Sequence, residues 1–417
     1  MPGTKLRIGR PYWLECWRGK PIKFPRVTGD HDVDVVIVGG GVTGCACACH
    51  FVKSGLSVAL VEAGEIGRGS TAASTALLMQ EPDVNFTDLS ALYGRAVTER
   101  VWKRSRQAVR AFIRMLDTLD ADSAMKQVPS IYFTRDAAKA SELQREMSRR
   151  HRAGLGGRWL SPTALEAHTG LSGAGGILTT GNALLDPYRS CLALARAASD
   201  KGARLFTKSR VVRIRQTNHR AQGGVRVELG GGSIRARRVV VATGYATADF
   251  KPLAGRFRMF NTYVVTTPRL TPRERCATGL GNVMLWDTEV PYHYVRWTPD
   301  HRLFFGGRDQ PQTPGPQRPG ALRTMTNALL DELGELYPTL RGVGADYAWE
   351  GLFAITHDGL PYIGTHRHYP YHLFALGYGG NGMTFGFLAA QVLTRALHGR
   401  PVADDGLFAF NRRERFR

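Results

Sequence analysis

The sequence predicts an α/β chain of two interleaved domains. One is built on a parallel sheet flanked by helices, the other is α+β, on a mainly antiparallel sheet with helices. Three observations predict this. Residues 33–62 run strand, turn, helix, strand; apolar strands leading into glycine return at 239–244 and 372–377; and the segments between alternate apolar and polar side chains. With 417 residues, 43% hydrophobic and 22% charged, the chain reads as globular and is long enough for two cores. No apolar run reaches bilayer-spanning length.

Residues 1–29 are basic and lack the apolar core of a secretory signal. They read as a tail over the first domain, pinned by Tyr12, Trp13 and Trp17. The β-branched run 33–38 then forms a strand that meets Gly39, Gly41 and Gly44 in G-x-G-x-x-G spacing. Gly39 suits a tight turn, Gly41 lets the backbone approach a pyrophosphate, and Gly44 lets helix and strand pack closely. Val42 and Thr43 open a small-residue helix over 43–53, whose free amides and positive dipole end would face phosphates. Ser54-Gly55 stops it, a second strand covers 56–61, and Glu62, followed by Ala63, is placed to accept hydrogen bonds from ribose hydroxyls. The complete unit reads as a Rossmann-like dinucleotide site.

Cys45, Cys47 and Cys49 lie in that helix without metal-ligand spacing and read as small packing residues. Six cysteines in a chain this size suggest no disulfide framework, which favours a reducing, cytoplasmic setting. The net charge of +21 would suit an acidic substrate, a nucleic acid or a membrane surface. Two basic clusters stand out: Lys103, Arg106, Arg110 and Arg114 at helical spacing, and Arg149, Arg150, His151 and Arg152. No nucleic-acid module accompanies them, so solvated faces are the favoured reading.

Residues 91–184 begin with a long amphipathic helix and carry a strand at 130–134. After them, 186–215 reads as a helix ended by Gly202 and two strands, and 239–245 as an apolar strand ending at Gly244. Residues 251–344 alternate as antiparallel strands at 258–267, 283–287, 292–298 and 303–306, then give a Pro/Gly-rich loop and a helix. Two further returns follow at 349–364 and 372–397. The expected division is a cofactor domain from 30–90, 185–250 and 345–417, with 91–184 and 251–344 forming a substrate-binding domain.

In this order the motifs resemble the FAD-dependent D-amino acid oxidase superfamily, on the side of glycine oxidase, sarcosine oxidase and γ-glutamylputrescine oxidase. The resemblance spans 29–400 and rests on the G-x-G-x-x-G…Glu62 unit, GRGSTAASTALL (67–78), the DPY helix at 186, VVVATG (239–244), DGLPYIG (358–364) and GYGGNGM (377–383). It implies FAD as cofactor. Arg68, Gly69, Ser70, Thr71 and Ser74 would then serve pyrophosphate and ribityl oxygens. Backbone around Ala76, Leu77 and Leu78 would lie beside the isoalloxazine, Val211 would flank the adenine, and Ala242, Thr243 and Gly244 the adenosine end. Gly379, Gly380, Asn381, Gly382 and Met383 would face flavin N1 and O2. Relatives that attach the flavin covalently use a His or a Cys where this chain has Ala73 and Gly351, so noncovalent FAD is implied.

The implied reaction is oxidation of a C–N bond by hydride transfer to flavin N5, giving an imine that hydrolyses. Two departures qualify it. Glycine-oxidase-like members place a carboxylate-binding Arg where Phe353 stands, and sarcosine-oxidase-like members a Lys over the flavin, matched here to Phe304. A simple α-amino acid held in the usual way is disfavoured, and the electron acceptor is either oxygen or another molecule. Candidate substrate residues are Tyr294 and Arg296, alternating on one strand face, with Tyr263, His357 and Tyr378. Two other readings are an FAD-dependent tRNA-modification-type oxidase and a flavin-binding subunit without turnover.

Overall fold

The computed structural model describes residues 6–20, 22–119, 122–217, 223–246, 250–253 and 255–416. Its two sheets are the expected ones. In the eight-stranded sheet, Tyr369–Leu376, Gly232–Gly244, Gly29–Val38, Val58–Val61 and Arg204–Phe206 lie side by side, all parallel. Tyr362–His366 adds an antiparallel edge, and Val211–Thr217 with Gly224–Leu229 forms an antiparallel extension. Gly29–Val38 feeds two cores: Val35 and Ile37 join the one with the helices, Val33 and Val36 the one with Val225, Val227 and Leu229.

Helix Val42–Lys53 packs against both Pro187–Asp200 and Gly382–Leu397. Its small residues allow this: Cys45, Ala46, Cys47, Ala48 and Cys49 are all fully buried. At Gly44 the fit is tighter still, because a Cβ would lie 1.9 Å from the Gly39 carbonyl oxygen.

The ten-stranded sheet runs Arg7–Gly9, Tyr347–Ile355, Arg258–Thr266, Leu303–Pro311, Tyr294–Trp297, Met284–Asp287, Lys126–Thr134, Gly175–Leu184, Leu77–Leu78, with Arg158–Leu160 also paired to Gly175–Leu184. Only the Met284–Asp287 and Lys126–Thr134 pairing is parallel. One face, with Tyr263, Val265, Val295 and Phe305, is covered by helix Arg318–Leu336. The other, with Val264, Tyr294, Phe304 and Trp349, turns toward the nucleotide-type domain.

Two expectations change. The sequence groups strand Tyr347–Ile355 with the parallel domain, yet it pairs antiparallel over its full length with Arg258–Thr266, which takes up the backbone hydrogen bonds of that edge. The tail does not simply lie over the first domain. Arg7–Gly9 adds an edge strand beside Tyr347–Ile355, while Tyr12 donates to Asp300 at 2.6 Å and Trp13 Nε1 to the Ser74 carbonyl at 2.7 Å. Trp17 sits edge-on to Tyr188.

Arg106, Arg110 and Arg114 lie on the outer side of helix Arg95–Thr118, as a solvated face requires. Arg150 is different: it is buried, paired with Glu146 at 2.8 Å and stacked over Trp102. No helix among the described residues is long and apolar enough to cross a membrane.

Candidate functional site

A cavity of about 710 Å³ opens where the parallel strands end and helix Val42–Lys53 begins. The glycine turn shapes its rim. Gly39 has φ +112° and a Cβ there would lie 2.6 Å from the Ala242 carbonyl, so only glycine carries the chain around this corner. A Cβ on Gly41 would meet only Thr71 Oγ1, at 3.2 Å, which leaves its cavity face open to a close-approaching ligand. Thr71 Oγ1 also accepts from the Val42 amide at 3.0 Å. The Glu62 carboxylate is held at the cavity edge by the Gly40 and Gly64 amides, each at 2.7 Å.

Most residues assigned to the cofactor line this cavity. They are Gly39, Gly41, Val42, Thr43, Glu62, Ala63, Gly69, Ser70, Thr71, Ser74, Val211, Ala242, Thr243, Gly244, Gly382 and Met383. Gly44 sits behind the rim as a packing residue. Arg68 departs from expectation, since it does not line the cavity and its carbonyl accepts from Arg7 Nε at 2.8 Å. Ala76 (φ +56°) and Leu78 are fully buried and line neither cavity.

A second cavity of about 300 Å³ shares Ser70, Ser74, Gly244, Tyr378 and Gly382 with the first, so the two meet there. Leu77, Gly351, Gly379, Gly380 and Asn381 line this second space rather than the first. A Cβ on Gly351 would come 3.0 Å from the Ala73 side chain. The two positions at which covalently linked relatives would carry a nucleophile therefore face each other, and here both are inert.

The second cavity is aromatic and acidic. Tyr132 and Trp286 stack with centroids 3.8 Å apart, Tyr292 and Tyr294 form another wall, and Phe353 adds a further ring. Asp83 presents its carboxylate to the cavity and accepts from the Gly380 amide at 2.5 Å. Desolvation by the surrounding walls pushes both Asp83, which solvent still reaches through the cavity, and half-buried Asp309 up to about 6. The same desolvation raises the Tyr292, Tyr294 and Tyr378 hydroxyls, so they stay protonated at neutral pH. Tyr294 shares a 3.0 Å hydrogen bond with Thr262, and Tyr378 donates to the Ala375 carbonyl at 2.5 Å.

Of the five substrate candidates, Tyr294 and Tyr378 line the cavity; Arg296, Tyr263 and His357 do not. Arg296 does share a sheet face with Tyr294, but its guanidinium reaches under the Ser74–Ala76 segment. There Nη1 donates to the carbonyls of Thr75 at 2.8 Å, Ala76 at 3.2 Å and Leu185 at 3.2 Å, between the Trp13 and Phe304 rings. Burial lowers its pKa to about 9, so it remains charged at neutral pH and supports the backbone between the cavities. Phe304, expected over the flavin, is fully buried in that aromatic cluster. Tyr263 lies on the opposite, helix-covered sheet face. His357 is exposed beside Asp358, whose carboxylate is occupied by Arg412 at 2.6 and 2.7 Å.

The sequence reading missed Asp83, Asp309, Tyr292, Tyr132 and Trp286. The available signals were small: Asp83 follows the glycine- and serine-rich segment within a few residues, and Asp309 comes two residues after a Gly-Gly in an apolar strand. Among the described residues no cluster of metal-ligating groups is present.

The family model for FAD-dependent oxidoreductases, DAO, matches residues 34–396. The chain is 22% identical to a probable oxidoreductase OrdL of Haemophilus influenzae, over 94% of this chain and 88% of that protein. It is 26% identical to the gamma-glutamylputrescine oxidoreductase of Escherichia coli, over 88% and 84% of the two chains. The solved glycine oxidase of Geobacillus kaustophilus superposes with a TM-score of 0.74 at 22% identity, covering 89% of this chain and 96% of that one.

Proposed function

The chain belongs to the DAO family of FAD-dependent oxidoreductases, and from that premise we propose that it oxidises a C–N bond of an amine or N-substituted amino acid. FAD, when bound, supplies the two-electron sink that takes a hydride from the carbon bearing nitrogen. The substrate leaves as an imine, which water hydrolyses to a carbonyl and an amine.

The cradle fits that cofactor. An acidic residue fixed by two amides stands at one end, a helix N-terminus at the middle, and hydroxyl-bearing Ser70, Thr71 and Ser74 beyond it. Neither Ala73 nor Gly351 offers a nucleophile, which supports noncovalent attachment. The observation that carries the reading is the junction of the two cavities at Ser74, Gly244, Tyr378 and Gly382. A ring ending there would face a donor carbon in the smaller space. The protein's own part is positional: the Tyr294 and Tyr378 walls orient the donor, and the low-dielectric setting favours the neutral, reactive amine over its ammonium form.

The test is anaerobic. Purified FAD-loaded protein is mixed with primary amines, secondary amines and N-methyl amino acids, flavin absorbance is followed, and oxygen is then admitted. Bleaching by at least one amine is expected, and the rate of recovery on aeration reads out oxygen as acceptor. A flavin left fully oxidised by every member of the panel would overturn the proposal.

A further inference from the structure

We infer that the smaller cavity recognises a diamine, whose second, non-reacting nitrogen is held as an ammonium by the Asp83 and Asp309 carboxylates. This rests on the amine-oxidation reading for the reacting end and adds what the other end must be.

The argument starts from charge. The chain carries a net +21, yet the described residues lining this cavity include five carboxylates and no Lys, Arg or His. Three of the five are already engaged. Glu81 accepts from Asn182 at 3.0 Å, Asp287 pairs with His293 at 2.9 Å, and Glu289 pairs with Lys139 at 3.6 Å. Among the described residues neither Asp83 nor Asp309 is closed off by an ion pair: Asp83, exposed to the cavity, is met by backbone amides, and half-buried Asp309 lies near His293 with its Oδ1 buried and without a hydrogen-bond partner.

Both line the same cavity as Tyr292, where Asp309 disfavours the charge on Asp83 and both disfavour ionisation of the Tyr292 hydroxyl. Two carboxylates that no ion pair neutralises draw a cation into the cavity, and a bound ammonium would satisfy the orphaned Asp309 oxygen. The surrounding Tyr and Trp faces add a favourable field for a cation. A carboxylated substrate meets the reverse: Phe353 offers it no partner, and the acids repel it.

The experiment uses a matched four-carbon series: 1,4-diaminobutane, butylamine and 4-aminobutanoate. Each is titrated anaerobically into the FAD-loaded protein, with the dissociation constant read from the flavin absorbance shift or the thermal shift. The expected order places the diamine at least about ten-fold tighter than butylamine, with 4-aminobutanoate weakest. Equal affinity for diamine and butylamine, or tighter binding of 4-aminobutanoate, overturns the inference. Asp309→Asn should cut the diamine preference to below about three-fold in a protein that keeps its flavin spectrum. Asp83→Asn serves if that variant does not retain FAD, and a preference undiminished in either loaded variant also overturns it. Binding and bleaching are separate readouts. Diamine-selective binding without bleaching would sink the oxidation reading alone; bleaching without diamine selectivity would sink this inference alone.

Discussion

The two cavities share a boundary but are built by opposite means. The larger is walled mainly by backbone: glycines at 39, 41, 69, 244 and 382, amides at a helix start, and short hydroxyl side chains. The smaller is walled mainly by side chains from distant segments, among them Asp83, Tyr132, Trp286, Tyr294, Asp309 and Phe353. The difference teaches where this fold can vary. Peptide groups recognise a ligand through geometry that tolerates no added atoms, whereas side chains can be exchanged without moving the sheet that holds them.

The largest expected effect comes from adding atoms to the backbone-built cavity. In Gly44→Val, the new Cβ would fall on the Gly39 carbonyl, and the glycine turn must move. Such overpacking costs on the order of 3 kcal/mol or more, roughly hundred-fold or more in FAD affinity. The variant should purify colourless and titrate weakly with FAD. A fully yellow protein would break the contrast between the two walls.

Next comes Arg296, which belongs to the boundary. Removing a buried guanidinium that serves four carbonyls, that of Trp297 included, should cost about 2–3 kcal/mol, seen in Arg296→Ala as a lower denaturation midpoint. The loss should be the same whether or not an amine is present. A raised KM with unchanged stability would return Arg296 to the substrate site.

The smallest effect is a pH dependence confined to the side-chain cavity. Asp83 and Asp309 are held up near about 6 by desolvation, so they are charged above that pH and neutral below it. Diamine affinity should hold from pH 8 to 7 and then fall, by up to about ten-fold per pH unit below 6. Tyr292 and Tyr294 stay neutral throughout. His293, beside Asp309 and paired with Asp287 and Glu332, has its proton retained above the ordinary histidine value; its positive charge lowers the Asp309 pKa. FAD retention over the same range should change less. A flat binding profile would remove the two carboxylates from recognition.

These expectations follow how the two cavities could be read. Gly39, Gly41, Gly44 and Glu62 were identifiable because a turn, a helix start and a strand end are local events with fixed spacing. The period-two pattern also located the strands at 258–266 and 284–287 to within a residue or so. Arg296 was misplaced for a physical reason: alternation assigns a sheet face but not how far along that face a long side chain reaches. Asp83 and Asp309 lie outside any periodic signal, and nothing within a few residues of either shows what stands opposite.

The order of residues alone determined the cofactor half of this protein: an α/β chain, a dinucleotide turn, its acid, and the glycine-rich entry to the Gly382–Leu397 helix. Hydrogen-bond geometry over short stretches suffices for each. Only the tertiary structure decided which charges are paired and which line a cavity without an ion pair, because solvation and pairing depend on segments far apart in sequence. That is why a chain so basic overall encloses an acidic pocket that no single motif announces.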